Sequence, residues 1–220
     1  FEHLGMFQLS SSTRSVPTAT WNEGSICEIN GTSVPGGGLT QSFSDFEYNS
    51  SGTTDLTTTP LSARNFSMTA GSIRLGPGNG SISYINVNGD WSHTGGTITK
   101  IHSNGIGQIT FIKAGTQTFT SGGTIGSNIN FTVNSGSTLS MSTYVLTGDS
   151  FTLSSGGGIL TTHANGLSST GAIQTTTSSF SSAANYEFSG GSTGTFTTAP
   201  TAATVNNLTI NNASSVSLSS

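Results

Sequence analysis

The sequence predicts an all-β fold, a right-handed parallel β-helix or closely related β-solenoid with about 20–22 residues per coil. Three observations predict it. Phe111, Phe131 and Phe151 recur at a step of twenty, with Trp91 one step earlier, and Phe119, Leu139 and Ile159 keep the same step. Ile125 and Val145 form a third series. Second, the form apolar-x-apolar, small turn, apolar-x-apolar repeats along the chain, as in FTVNSGSTLSM (131–141) and FTLSSGGGIL (151–160). Third, no 3.6-residue period is sustained anywhere, so the apolar residues do not read as helix.

Composition fits a thin, repetitive core. Ser, Thr, Gly and Asn make up more than half of the 220 residues, charged residues are 6% and hydrophobic residues 31%. Disorder calls for high net charge and few β-formers, whereas the net charge here is −4 and the apolar residues present are Phe, Ile, Val, Leu and Tyr, with abundant Thr. These are residues that suit a pleated surface. The mild acidity offers no basic face for nucleic acid. No apolar run approaches the ~18 residues of a membrane span. The single cysteine, Cys27, is expected to be a small buried hydrophobe.

Residues 1–60 differ in composition, holding most of the carboxylates together with Trp21 and Cys27. This segment is expected to be an irregular first coil or cap, with 61–220 forming the solenoid repeats. The stretch 18–32 alternates as a strand, 34–38 is a loop of Pro and Gly, and 39–49 has a mixed period around Phe43, Phe46 and Tyr48. From 61 the pattern is regular, beginning with NFSMTAGSIRL (65–75). Alternation puts Phe131 and Val133 on one face and Thr132 on the other. Near Gly171 the series loses register, which predicts a wider coil or insertion within 161–185. It resumes with the pairs Phe188 and Leu208, and Phe196 and Val216. Gly and Ser at the corners permit tight turns. In-register aromatics fill the interior, and low charge is expected to avoid like-charge ladders between copies.

In this order, WNEGSICEINGT, LTQSFSDFEYN, NFSMTAGSI, VNGDWSHTGGTIT, GTQTFTSGGTI, INFTVNSGSTLSM, FTLSSGGGILTTHANGL, ANYEFSGG and TVNNLTINNASSVSLSS resemble the repeats of very large secreted surface proteins of Bacteroidetes bacteria. The resemblance covers nearly the whole chain. It implies a cell-surface or released protein, exported by a type IX route, with the C-terminal sorting domain of such proteins not included in this stretch. The chain begins with Phe1 and has no signal layout, so it is expected to be a mature or excised segment. The family has no defined activity.

The residues that could carry chemistry are few. His3, His93, His102 and His163 are expected at corners or in solvent, without the convergence a metal site requires. From 61 onward the carboxylates are only Asp90, Asp149 and Glu187, scattered rather than paired as glycoside hydrolysis demands. No catalytic, cofactor or metal residue is therefore assigned. The Thr-x-Thr runs at 97–99 and 116–120 do not keep the twenty-residue step and read as surface strand. Seven Asn-x-Ser/Thr sequons occur, at Asn30, Asn49, Asn65, Asn79, Asn130, Asn207 and Asn212, and matter only in a host that glycosylates them. The expected function is structural and non-catalytic: an extracellular stalk, adhesin segment or filament subunit that associates end to end with itself or with adjoining repeats. A carbohydrate-binding or carbohydrate-processing β-helix, with surface glycans as partner, is the alternative. An ice-binding adhesin region is a third. No cofactor is expected.

Overall fold

Short alternating segments separated by Gly- and Ser-rich corners leave each strand able to bury only two or three side chains. Such strands gain stability by stacking on their successors rather than by folding back. The computed structural model describes residues 2–10, 14–32, 34–57, 60–78, 80–190 and 205–212. Its first strands are β1 (Glu2–His3), β2 (Met6–Leu9), β3 (Thr20–Trp21), β4 (Ile26–Gly31), β5 (Ser42–Ser50), β6 (Thr53–Leu56) and β7 (Leu61–Met68). There follow β8 (Ser72–Leu75), β9 (Ile82–Val87), β10 (Trp91–His93), β11 (Thr97–Lys100), β12 (Ile106–Phe111), β13 (Gly115–Ser121) and β14 (Thr124–Ile125). The remainder are β15 (Ile129–Val133), β16 (Ser137–Ser140), β17 (Leu146–Leu153), β18 (Gly158–Thr161), β19 (Ile173–Phe180), β20 (Asn185–Gly190) and β21 (Asn207–Asn212). Every pairing between these strands whose register is resolved is parallel. The fold is an all-β solenoid of about 8 turns.

The chain forms two compact units, Phe1–Ile109 with Gly122–Ile129, and Thr110–Ser121 with Asn130–Ser220. In the first, one ladder runs β2, β4, β5, β7, β10, and a second runs β6, β8, β11, β14. β7 is long enough to serve two ladders: Leu61 and Ala63 lie opposite Ile85 and Val87 of β9, while Phe66 and Met68 lie opposite Trp91 and His93. In the second unit, one ladder runs β13, β16, β18, β20, β21 and another β15, β17, β19.

Two sequence expectations are redrawn here. The strands before residue 60 stack as regularly as those after it. Met6 lies opposite Ile26, Ile26 opposite Asp45 and Phe46 opposite Phe66, which are steps of 20, 19 and 20. The segment 1–60 is thus built of stacked coils, and its unlike composition reflects what points outward. The step is also not fixed at 20–22: it runs from 18, between Glu2 and Thr20, to 27, between Leu146 and Ile173. A corner can lengthen without disturbing the strands because it projects away from the ladder. The coil at 146–173 carries its extra residues in the turns between Thr161 and Ile173, where the sequence loses its series; the coil from Thr97 to Thr124 is as wide.

Glycine is required where a corner of one coil presses on the next. Gly71 has φ +72, and a Cβ there would sit 1.8 Å from the Ser50 carbonyl oxygen. Its own carbonyl accepts the Thr97 amide of the following coil.

Candidate functional site

The interior is where the sequence concentrates its large side chains. In the first unit the rings form a run from Phe7 through Trp21, Phe43, Phe46 and Phe66 to Trp91. The tightest contact is Phe66 on Trp91, with centroids 4.5 Å apart and planes within 10°. In the second unit Phe111 stacks on Phe131 at 6.4 Å and 13°, and Phe131 lies opposite Phe151 in the ladder. Phe119 meets Phe111 edge to face at 6.2 Å. Leu139 lies opposite Ile159. All of these are buried except Phe7, which is half-buried.

The twenty-residue series predicted two other neighbours. Trp91 takes its place opposite Phe66, 25 residues earlier, and Leu139 stands opposite Gln117 rather than Phe119. The reason is the variable corner: the coil between β13 and β16 advances 22 residues, so counting by twenty lands two positions away, on the same face but beside a different residue. Ile125 is half-buried in β14, and Val145, also half-buried, lies outside any strand.

Among the buried polar side chains are His93 and Gln117, whose burial sequence reading missed. His93, expected in solvent, is 1% exposed and lies opposite Met68. Its ring meets Trp91 edge-on at 6.1 Å. Its Nε2 has no hydrogen-bond partner and points at Gly123, where a Cβ would sit 2.2 Å away. Burial pushes its pKa down to about 4, against a partial lift from the Gly96 backbone. Gln117 is 1% exposed; its Oε1 accepts the Lys113 amide, and its Nε2 has no partner. The signal for His93 was present in the Trp-x-His alternation, which puts residues 91 and 93 on one face. Cys27 is buried among these coils and its thiol is pushed up to about 12 by burial, so it is an inert packing group.

Outside the core, charge is confined mostly to the first unit. Gln8, Glu28 and Glu47 are aligned on successive strands, and the Gln8 amide donates to Glu28 at 2.6 Å. This is a like-charge ladder of the kind low overall charge was expected to avoid. Burial, then Glu28 and Asp45, raise the Glu47 pKa. Asp45 is surrounded by donors: the Asn65 side-chain amide and the Arg64 guanidinium both reach it, and Arg64 also pairs with Glu23 at 2.7 Å. Arg74 grips Asp55 through two bonds of 2.7 and 2.8 Å. Above Asp55, the loop Gly36–Gly38 and residues Thr54–Thr57 border a cleft of about 180 Å³.

Further along, the outward rows of β15, β17 and β19 are neutral where they align. Asn130, Ser150 and Thr177 align, as do Thr132, Thr152 and Ser179. Among the described residues no group of three or more His, Cys, Asp or Glu is placed to hold a metal ion. Asp90 and Asp149 stand in separate units. His102 and His163 lie in turns, as their Gly and Asn neighbours indicate. The His3 side chain, the Asn79 sequon and the pair Phe196 and Val216 lie outside the described residues. Leu208, expected to follow Phe188, instead aligns with Tyr186, and Phe188 with Ile210, a step of 22. No family model, curated protein or solved structure matches this chain.

Proposed function

We propose that the chain is a non-catalytic structural segment of an extracellular protein, a stalk, adhesin segment or filament subunit. The observation that carries this reading is the use made of its charged groups. Arg64, Arg74, Asn65 and Gln8 each tie a carboxylate of an earlier or later coil. Carboxylates spent on neighbouring donors hold coils together, whereas hydrolysis of a glycosidic bond needs two of them free and facing one substrate. The resemblance of the repeats to those of large secreted Bacteroidetes surface proteins supports the extracellular location and the type IX export route. No helix among the described residues is long and apolar enough to cross a membrane.

The test is direct. Purified protein incubated with acidic and neutral polysaccharides should release no new reducing ends or unsaturated products. Turnover removed by Asp90→Asn or Asp149→Asn would overturn the reading. A carbohydrate-binding role is favoured by one feature, the cleft over Asp55 with its exposed glycine backbone. Saturation by an oligosaccharide that Asp55→Ala abolishes would establish it.

A further inference from the structure

Several strands have a single partner among the described residues, and the first and last of the apolar ladders are two of them. β2 pairs with β4, and β21 with β20. The Ile26 amide donates to the Gly5 carbonyl. Successive peptide groups of a strand point to opposite edges. Gly5, Phe7 and Leu9 therefore face β4, and Met6 and Gln8 turn their N–H and C=O groups to the open edge. An open edge with these groups unpaired is a template for another strand.

The two edges also match in their side chains. Phe7 and Leu9 align with buried Cys27 and Ile29, so both occupy inward positions. Leu208 and Ile210 align with buried Tyr186 and Phe188 and occupy inward positions likewise. Ile210 remains 49% exposed, which a residue in a core column is not when a further strand covers it. Beside β2, Phe7, Leu9 and Pro17 border a recess of about 400 Å³. β2 reads MFQL and β21 reads NLTINN, with no charge on either.

We propose that one copy of this chain binds the next head to tail, the open edge of β21 adding in parallel to the open edge of β2. Leu208 then stands opposite Phe7, Thr209 opposite Gln8 and Ile210 opposite Leu9. The apolar residues enter the recess, and the Thr209 hydroxyl meets the Gln8 amide, extending the row that already joins Gln8 to Glu28. The occupant is a second copy because β2 asks for a parallel, uncharged strand with two apolar inward residues around a hydroxyl, and β21 offers Leu-Thr-Ile. Contact between unlike surfaces repeats without closing unless the rotation returns on itself. The inference rests on the structural reading above.

Two variants test it, each blocking one end. Met6→Pro removes an N–H that faces the open edge and spares those bonded to β4. Ile210→Lys puts a charge at the other edge, on a side chain already half exposed. Met6→Lys serves if the proline disturbs β2, and circular dichroism confirms that each variant keeps the wild-type spectrum. In sedimentation, wild-type protein should grow beyond the 22.3 kDa chain with concentration. Each variant alone should associate at least tenfold more weakly. Their equimolar mixture should give a dimer and nothing larger, since one supplies β21 and the other β2. Wild-type protein that stays monomeric at all concentrations, variants that assemble like wild type, or a mixture that does not dimerise would each overturn the proposal. Monomers inert towards polysaccharides would leave the structural reading standing, with both edges left to further coils of a longer polypeptide. Monomers that cleave them would end both.

Discussion

At Phe131 the interior is at its most repetitive: Phe111 stacks on one side and Phe151 lies opposite in the next strand. Truncating such a ring removes its burial and leaves a cavity that a rigid ladder cannot close. Phe131→Ala should therefore cost about 3–5 kcal/mol, read as a fall in the urea midpoint with an unchanged slope. A loss below about 1 kcal/mol would show that neighbouring coils close over the gap. His93 makes a prediction of opposite chemical origin. Its folded pKa, near 4, lies below its ordinary 6.5, so the unfolded chain binds the proton more readily. The stability this neutral histidine contributes is fully present above pH 6.5 and is lost as the pH falls from there towards 4. Wild-type protein should lose stability across that window more steeply than a His93→Leu variant, and parallel curves for the two would refute the assignment. Glu47 is held in a row with Glu28, its pKa raised by burial and by that neighbour. Glu47→Gln should raise the thermal midpoint at pH 7, since facing like charges cost about 0.2–1 kcal/mol.

Strands and corners divide the work of the coil unequally. Strand register is set by the inward pair of side chains, because a slip of one residue turns the whole apolar set outward. Corner length has no such constraint, which is why aligned residues are 19 apart between β6 and β8 and 27 apart between β18 and β20. Yet corners press on one another where they stack, and Gly71 is the clearest case. Its left-handed backbone and the nearness of the Ser50 carbonyl both exclude a side chain. Gly71→Ala should destabilise the first unit by more than the roughly 1 kcal/mol at which single substitutions centre. The measurement is hydrogen exchange in β8 and β11. Protection there equal to wild type would mean that the corner yields without cost.

Across the whole molecule, few charges and many neutral hydroxyl rows imply a stability that salt barely touches. Among the described residues the ion pairs join Arg64 to Glu23 and Asp45, and Arg74 to Asp55; apart from Asp45 their side chains are more than a third exposed, and such pairs belong to a class worth about 0–1 kcal/mol each. Thermal midpoints in low and in molar salt should agree within about 4 °C, taking about 1 kcal/mol as the largest change screening can produce. A larger fall with added salt would assign the carboxylate ties a greater part in cohesion than their exposure allows.

The sequence by itself determined that the chain is all-β and coiled, because alternation places Phe131 with Val133 inward and a step near twenty repeats that placement. It also marked the wider coil before Ile173, where an apolar residue fell due and Gly171 stood instead. Counting along the chain could not determine which residues meet. Alignment depends on the length of every intervening corner, and corners vary because nothing in the ladder constrains them. Trp91 met Phe66, and Leu139 met Gln117, for that reason alone. The regularity of residues 1–60 was hidden for a related cause: composition there is set apart by its carboxylates, while the inward residues Cys27, Ile29, Phe46 and Tyr48 obey the same alternation as the rest. The tertiary structure alone decided that Glu28 and Glu47 share a row and that His93 is sealed against Gly123. Both depend on contacts between residues 19 or more apart in sequence, which only the stacking of coils brings together.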